Sequence, residues 1–99
     1  MPYAIRFAQS VRVHLRTLTA HRRTAVLDAI EKQLCHQPLV ETKHRKPLRP
    51  NPIAPWELRV GHLRVFYDVT ADHPDTVRIL AVGWKKGSRI YIGKQEIEI

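Results

Sequence analysis

A strict two-residue alternation runs from Trp56 to Tyr67 and is interrupted only at Gly61-His62, within Pro55-Trp-Glu-Leu-Arg-Val-Gly-His-Leu-Arg-Val-Phe-Tyr-Asp-Val69. This pattern constrains the fold more than any other in the chain. Strand side chains point alternately to opposite faces, and a Gly-X pair is a two-residue hairpin loop. The loop fixes the register: Val60 faces Leu63, Arg59 faces Arg64, Leu58 faces Val65 and Trp56 faces Tyr67. One face then carries Trp56, Leu58, Val60, Leu63, Val65 and Tyr67, and the other carries Glu57, Arg59, Arg64 and Phe66. Two arginines directly opposite each other cost a sheet about 0.2–1 kcal/mol. An anionic partner would offset that cost.

The flanking sequence supplies the other elements. Ile5 and Phe7 alternate in a first strand over Tyr3–Ala8. Ser10 is placed to cap a short helix whose Val11, Leu15 and Leu18 recur at i, i+4 and i+7. A second helix over Ala20–Leu34 turns Val26, Leu27, Ile30 and Leu34 inward, and the two helices form a hairpin. Between Cys35 and Pro55, five prolines (Pro38, Pro47, Pro50, Pro52, Pro55) exclude a regular helix and a central strand. A long, stiff loop is expected there, and loops of that length are more often functional than mere connectors. It carries Lys43, His44, Arg45, Lys46 and Arg49. After the hairpin come a turn at Ala71–Asp75, a third strand over Val77–Val82, a basic turn over Gly83–Ser88 and an extended tail from Arg89 to Ile99. The order strand, helix, helix, basic loop and antiparallel β-meander predicts an α+β fold with the helices on one sheet face. The face holding Glu57, Arg59, Arg64 and Phe66 is expected to be open.

With 99 residues, 43% of them hydrophobic, the chain is expected to build one core in a single domain spanning 1–99. Seventeen Lys and Arg against nine Asp and Glu give a formal charge of +8, which favours nucleic acid, an anionic surface or an acidic protein as partner. The lone Cys35 excludes an intramolecular disulfide framework, and no Cys/His spacing suggests zinc. No apolar run has signal-peptide or membrane-span length, so a soluble, cytoplasmic protein is expected.

In Leu58-Arg-Val-Gly-His-Leu-Arg-Val-Phe-Tyr67, followed by Ile79-Leu-Ala-Val-Gly83, Lys85 and Tyr91, the chain resembles the RelE/ParE superfamily of bacterial type II toxins. The resemblance covers nearly the whole chain and implies a RelE-like fold. It also implies a cognate antitoxin with an acidic segment, and one of two activities: ribosome-dependent mRNA cleavage in RelE-like members, or inhibition of DNA gyrase in ParE-like ones. By the resemblance, Arg64 matches the sheet arginine that holds RNA phosphate. Lys85 stands where RelE-like enzymes have a second arginine, and Tyr91 matches their C-terminal tyrosine. Pro55 and Glu57 depart from the pattern, standing where RelE has lysines, and Lys46 replaces the glutamate base of another branch.

Cleavage of RNA by its own 2′-hydroxyl needs a base, an acid and cations for the phosphorane. The chain is rich in cations. Arg64 and Lys85 are the candidate phosphate-stabilising groups, with Tyr91 and His44 as candidates for proton transfer. Lys43, Arg45, Lys46, Arg49, Arg59, Lys86 and Arg89 are candidates for binding the RNA backbone, and Phe66 for stacking on a base. No carboxylate cluster or Gly-rich phosphate loop is evident, so no metal or cofactor is expected. Two other readings stay open: a non-enzymatic gyrase inhibitor, and a basic binding module without toxicity.

Overall fold

The computed structural model describes residues 2–97. Among them, seven strands and two helices follow in the order β1 (Ala4–Phe7), α1 (Val11–Arg16), α2 (Ala20–Leu34), β2 (Arg45–Pro47), β3 (Trp56–Val60), β4 (Leu63–Asp68), β5 (Thr76–Lys86), β6 (Arg89–Ile92) and β7 (Gln95–Ile97). The strands form one sheet in the order β2-β3-β4-β5-β6-β7, with β1 added in parallel to β5. This is the expected α+β architecture, with more strands than the meander alone. β5 runs to eleven residues because it serves three neighbours. One edge pairs with β4, and the other is shared between β1 at Thr76–Ile79 and β6 at Gly83–Lys86.

The β3–β4 hairpin has the expected register, from Trp56 opposite Tyr67 to Val60 opposite Leu63. Gly61 adopts φ +59°, the left-handed conformation required at the first position of such a loop. Leu58, Val65 and Tyr67 are buried against Val26, Ile30 and Leu34 of α2. Each side chain so buried stabilises the fold by about 1.5–3 kcal/mol. α2 begins where Thr19 Oγ1 accepts the Arg22 N–H at 3.2 Å. Leu27 is exposed rather than inward, because a stripe at i, i+4 and i+8 already fills the contact with the sheet. Ser10 occupies the N-cap position of α1 with helical backbone angles, and its side chain makes no capping bond.

The stretch Cys35–Pro55 is not wholly irregular. β2 pairs antiparallel with β3 along the sheet edge and ends on Pro47. Proline is tolerated there because an edge strand leaves one side of its backbone unpaired. Two polar side chains then shape the rest. Asn51 Oδ1 accepts from the N–H groups of Ile53 and Ala54 at 2.8 and 3.0 Å, while its Nδ2 donates to the carbonyls of Arg49 and Ala54 at 2.7 and 2.8 Å. Tyr67 Oη donates to the Pro38 carbonyl at 2.6 Å.

The basic turn expected over Gly83–Ser88 is mostly strand, since β5 continues to Lys86 and only Gly87-Ser88 turns. The tail is a β6–β7 hairpin, with Glu98 and Ile99 outside the described residues. The second sheet face is not open as expected. Phe66, Ala81, Ile92 and Ala54 form a smaller core there, covered by Leu48 and Ile53 of the proline-rich segment and by Ile90 and Ile97 of the last hairpin. Among the described residues, no helix is long and apolar enough to cross a membrane.

Candidate nucleic-acid interface

The two cross-strand arginines share a carboxylate. Arg59 Nε lies 2.9 Å from Glu57 Oε2, and Arg64 Nε lies 3.7 Å from Glu57 Oε1. Glu57 is 4% exposed and Arg64 only 8%. Arg64 also donates from Nη1 to the carbonyls of Gly61 and Leu63, at 2.7 and 2.9 Å. It therefore ties the hairpin loop to the buried Glu57. Burial lowers its pKa from the ordinary value, the negative Glu57 raises it, and Arg59 lowers it further. An arginine remains charged through such shifts. The arrangement resolves the like-charge pair: Glu57 neutralises part of the repulsion while the Arg59 side chain, 44% exposed, extends outward.

Arg59 opens onto a cleft of about 600 Å³ between the sheet and the β6–β7 hairpin, bordered also by Glu57, Lys85, Ser88, Arg89 and Glu96. Three cations thus meet on the face opposite α2. Lys85 comes from the end of β5, where it pairs with Ile90. Arg89 pairs loosely with Glu96 at 3.7 Å and stays largely in solvent; Tyr91 and Glu96 raise its pKa. Gly83 allows this geometry, because a Cβ there would lie 1.9 Å from the Tyr91 carbonyl oxygen. The close approach of β6 to β5 depends on glycine at this position.

Tyr91 is not brought together with Arg64. It pairs with Trp84 on the helix-side face, and the two rings stack with centroids 5.6 Å apart. Its hydroxyl reaches only to the edge of the cleft, 3.5 Å from Glu96 Oε1. His44 borders a neighbouring groove that it shares with Arg59, and its carbonyl accepts the Arg59 N–H at 2.8 Å. That groove lies on the α2 side, lined by Ala25, Asp28, Ala29 and Lys32, so His44 is outside the cleft, whereas Glu96 lines the cleft beside Arg89 and contacts the Tyr91 hydroxyl.

Two expected RNA contacts do not suit that role. Phe66 is 0% exposed within the second core, so no base can stack on it. Arg45 is 8% exposed, with Nε donating to the Val40 carbonyl and Nη1 to Gln33 O and Oε1. It caps the Gln33 carbonyl in the last turn of α2, as a cation at a helix C-terminus does, and ties the following loop at Val40. Lys46 pairs with Glu41 at 3.2 Å, while Lys43, Arg49 and Lys86 are exposed. Glu57 and Glu96 were missed as site residues. For Glu57 a signal existed, since a single carboxylate stands on the strand face that holds the two arginines.

No family model and no curated protein matches the chain. Among solved structures it is similar to the toxin-antitoxin complex RelBE2 from Mycobacterium tuberculosis, with 30% identity, coverage of 86% of this chain and 100% of that one, and a TM-score of 0.71. It is also similar to the archaeal RelE-RelB complex from Pyrococcus horikoshii, with 21% identity, coverage of 88% and 98%, and a TM-score of 0.66.

Proposed function

The chain belongs to the RelE family of toxins, and from that premise we propose that it arrests translation by cutting mRNA on the ribosome. The observation that carries this reading is the cleft where Arg59, Lys85 and Arg89 converge on the sheet face opposite α2. Three cations at one concavity suit a phosphodiester, whose charge increases as the 2′-oxygen attacks phosphorus. Arg59 is oriented by Glu57 through Nε, which leaves its terminal amino groups for phosphate. Arg64 acts from behind as a fixed, poorly solvated charge. Lys85 and Arg89 take the far side of the phosphate. Proton transfer falls to Glu96, which lines the cleft beside Arg89, and to the Tyr91 hydroxyl in contact with it, while His44 borders the α2-side groove outside the cleft.

The same family membership supports an antitoxin as partner, because both similar structures are complexes of that kind. A formal charge of +8 favours an acidic segment in that partner and speeds capture by steering.

Controlled expression in bacteria tests the proposal. The wild-type chain is expected to stop growth with amino-acid incorporation falling before DNA synthesis, and Lys85→Ala with Arg89→Ala to relieve the arrest. DNA synthesis failing first, with intact mRNA, would replace this reading with gyrase inhibition.

A further inference from the structure

A second concavity, larger than the cleft described above, lies on the opposite sheet face. It is a groove of about 670 Å³ between the first turns of α2 and the tip of the β3–β4 hairpin. Its floor is apolar, formed by Val60, Leu63, Ala25 and the half-buried Trp84. Around that floor stand Arg22, Lys85, Lys86, His21 and His62, and no carboxylate among the described residues lines it. Lys85 borders both concavities and so joins Arg59 and Arg89 of the cleft to Lys86 and Arg22 of the groove. Trp84 stacks on the Tyr91 ring, with centroids 5.6 Å apart and planes at 17°.

An apolar floor with an aromatic plane, ringed by cations and lined by no described carboxylate, has the chemistry of a single-stranded nucleic-acid subsite, where a base packs on the ring and phosphates meet the rim. We propose that this groove binds a nucleotide of the RNA next to the one held in the cleft, with its base against Trp84 and its phosphates on Arg22 and Lys86, and with Lys85 as the bridge between the two subsites. The proposal rests on the nuclease reading and adds the path of the strand. The cleft alone holds one phosphodiester; the second subsite lengthens the bound segment and gives the protein a preference at a flanking base.

The test is equilibrium binding of fluorescein-labelled oligouridylates of two and six nucleotides to the folded full chain, over a range of salt. The six-nucleotide probe is expected to bind at least tenfold tighter than the dinucleotide. Arg22→Glu with Lys86→Glu, both at exposed positions, is expected to remove that advantage and leave dinucleotide binding unchanged. Loss of two phosphate contacts should also reduce the slope of log affinity against log salt by about 1.4 for the longer probe. Trp84→Leu is expected to weaken the longer probe about tenfold, in the range for one stacked base. Equal binding of both probes, or an unchanged salt slope in the double variant, overturns the subsite while leaving the cleft intact if Arg59→Glu still abolishes dinucleotide binding. No binding of either probe by the wild type, together with no mRNA cleavage, overturns the nuclease reading and the subsite with it. If the double variant loses antitoxin binding while its RNA affinity is unchanged, the groove is a protein-docking surface and the proposal fails.

Discussion

Replacing Glu57 by glutamine keeps the shape of the side chain and removes the charge that lets Arg59 and Arg64 face each other. Removing one partner of a buried ion pair costs about 3–5 kcal/mol, because the remaining charge stays buried without compensation. Two features of this site reduce that figure. Arg64 keeps its two carbonyl acceptors at the hairpin loop, and the glutamine amide still offers an oxygen to Arg59, whose solvated pairing contributes less than about 1 kcal/mol. The cross-strand repulsion, about 0.2–1 kcal/mol, acts in the other direction once the carboxylate is gone. The expected loss is thus about 2–3 kcal/mol, which in a domain of this size lowers Tm by roughly 10–20 °C. Urea unfolding of wild type, Glu57→Gln, Arg64→Met and the double variant forms a cycle. The double variant should be more stable than the sum of the single losses implies, by about 1.5–3 kcal/mol. If Glu57→Gln unfolds within about 0.5 kcal/mol of the wild type, the reasoning is refuted, and the carboxylate is not what allows the arginine pair.

Tyr67→Phe should cost about 1–3 kcal/mol, because the buried Pro38 carbonyl loses its donor; proteolysis should then begin between residues 36 and 44, and cleavage elsewhere first would contradict this. Gly83→Ala should cost about 3 kcal/mol or more, since the new Cβ meets the Tyr91 carbonyl and β6 must separate from β5; an unchanged urea midpoint would exclude that clash. His14 gives a pH dependence of known sign. Burial lowers its pKa from 6.5, and its Nδ1 accepts the Val82 N–H at 3.3 Å, which requires the neutral ring. The unfolded chain therefore takes up the proton first, so this contribution is complete above about pH 6.5 and is lost as pH falls through the lower folded value. Stability of the wild type should decline more steeply than that of His14→Leu below pH 6.5, and parallel profiles would contradict it.

The hairpin was readable to the residue, because a period of two and a Gly-X loop leave one register that keeps the apolar face together. α2 was readable from its apolar spacing, of which Val26, Ile30 and Leu34 face the core and Leu27 does not, whereas its Thr19 cap came only from the structure. β2 was hidden because three residues ending in proline carry no periodicity, and their strand conformation comes from β3 alone. The second core was hidden for the opposite reason. Phe66 was visible as apolar, but the residues covering it come from Leu48, Ile53, Ile90 and Ile97, distant in sequence and without a shared pattern. The same cause explains the site. Arg59 and Arg64 were legible as a pair, whereas the buried position of Arg64 depends on that cover, and the role of Arg45 depends on where the carbonyls of Val40 and Gln33 lie. Alternation also decides which face Tyr91 takes, and it follows from pairing with β5 that begins after a turn the sequence left unfixed.

Because Arg64 braces the hairpin, the more accessible cations of the cleft, exposed Arg59 and half-buried Lys85, are the better probes of function. Primer extension on an mRNA being translated in a cell-free system, with wild type, Arg59→Ala and Lys85→Ala side by side, tests the central claim most directly. Cleavage within codons by the wild type, absent without ribosomes and reduced at least a hundredfold in both folded variants, is the expected result. Intact mRNA with the wild type, or full cleavage by both variants, would contradict it.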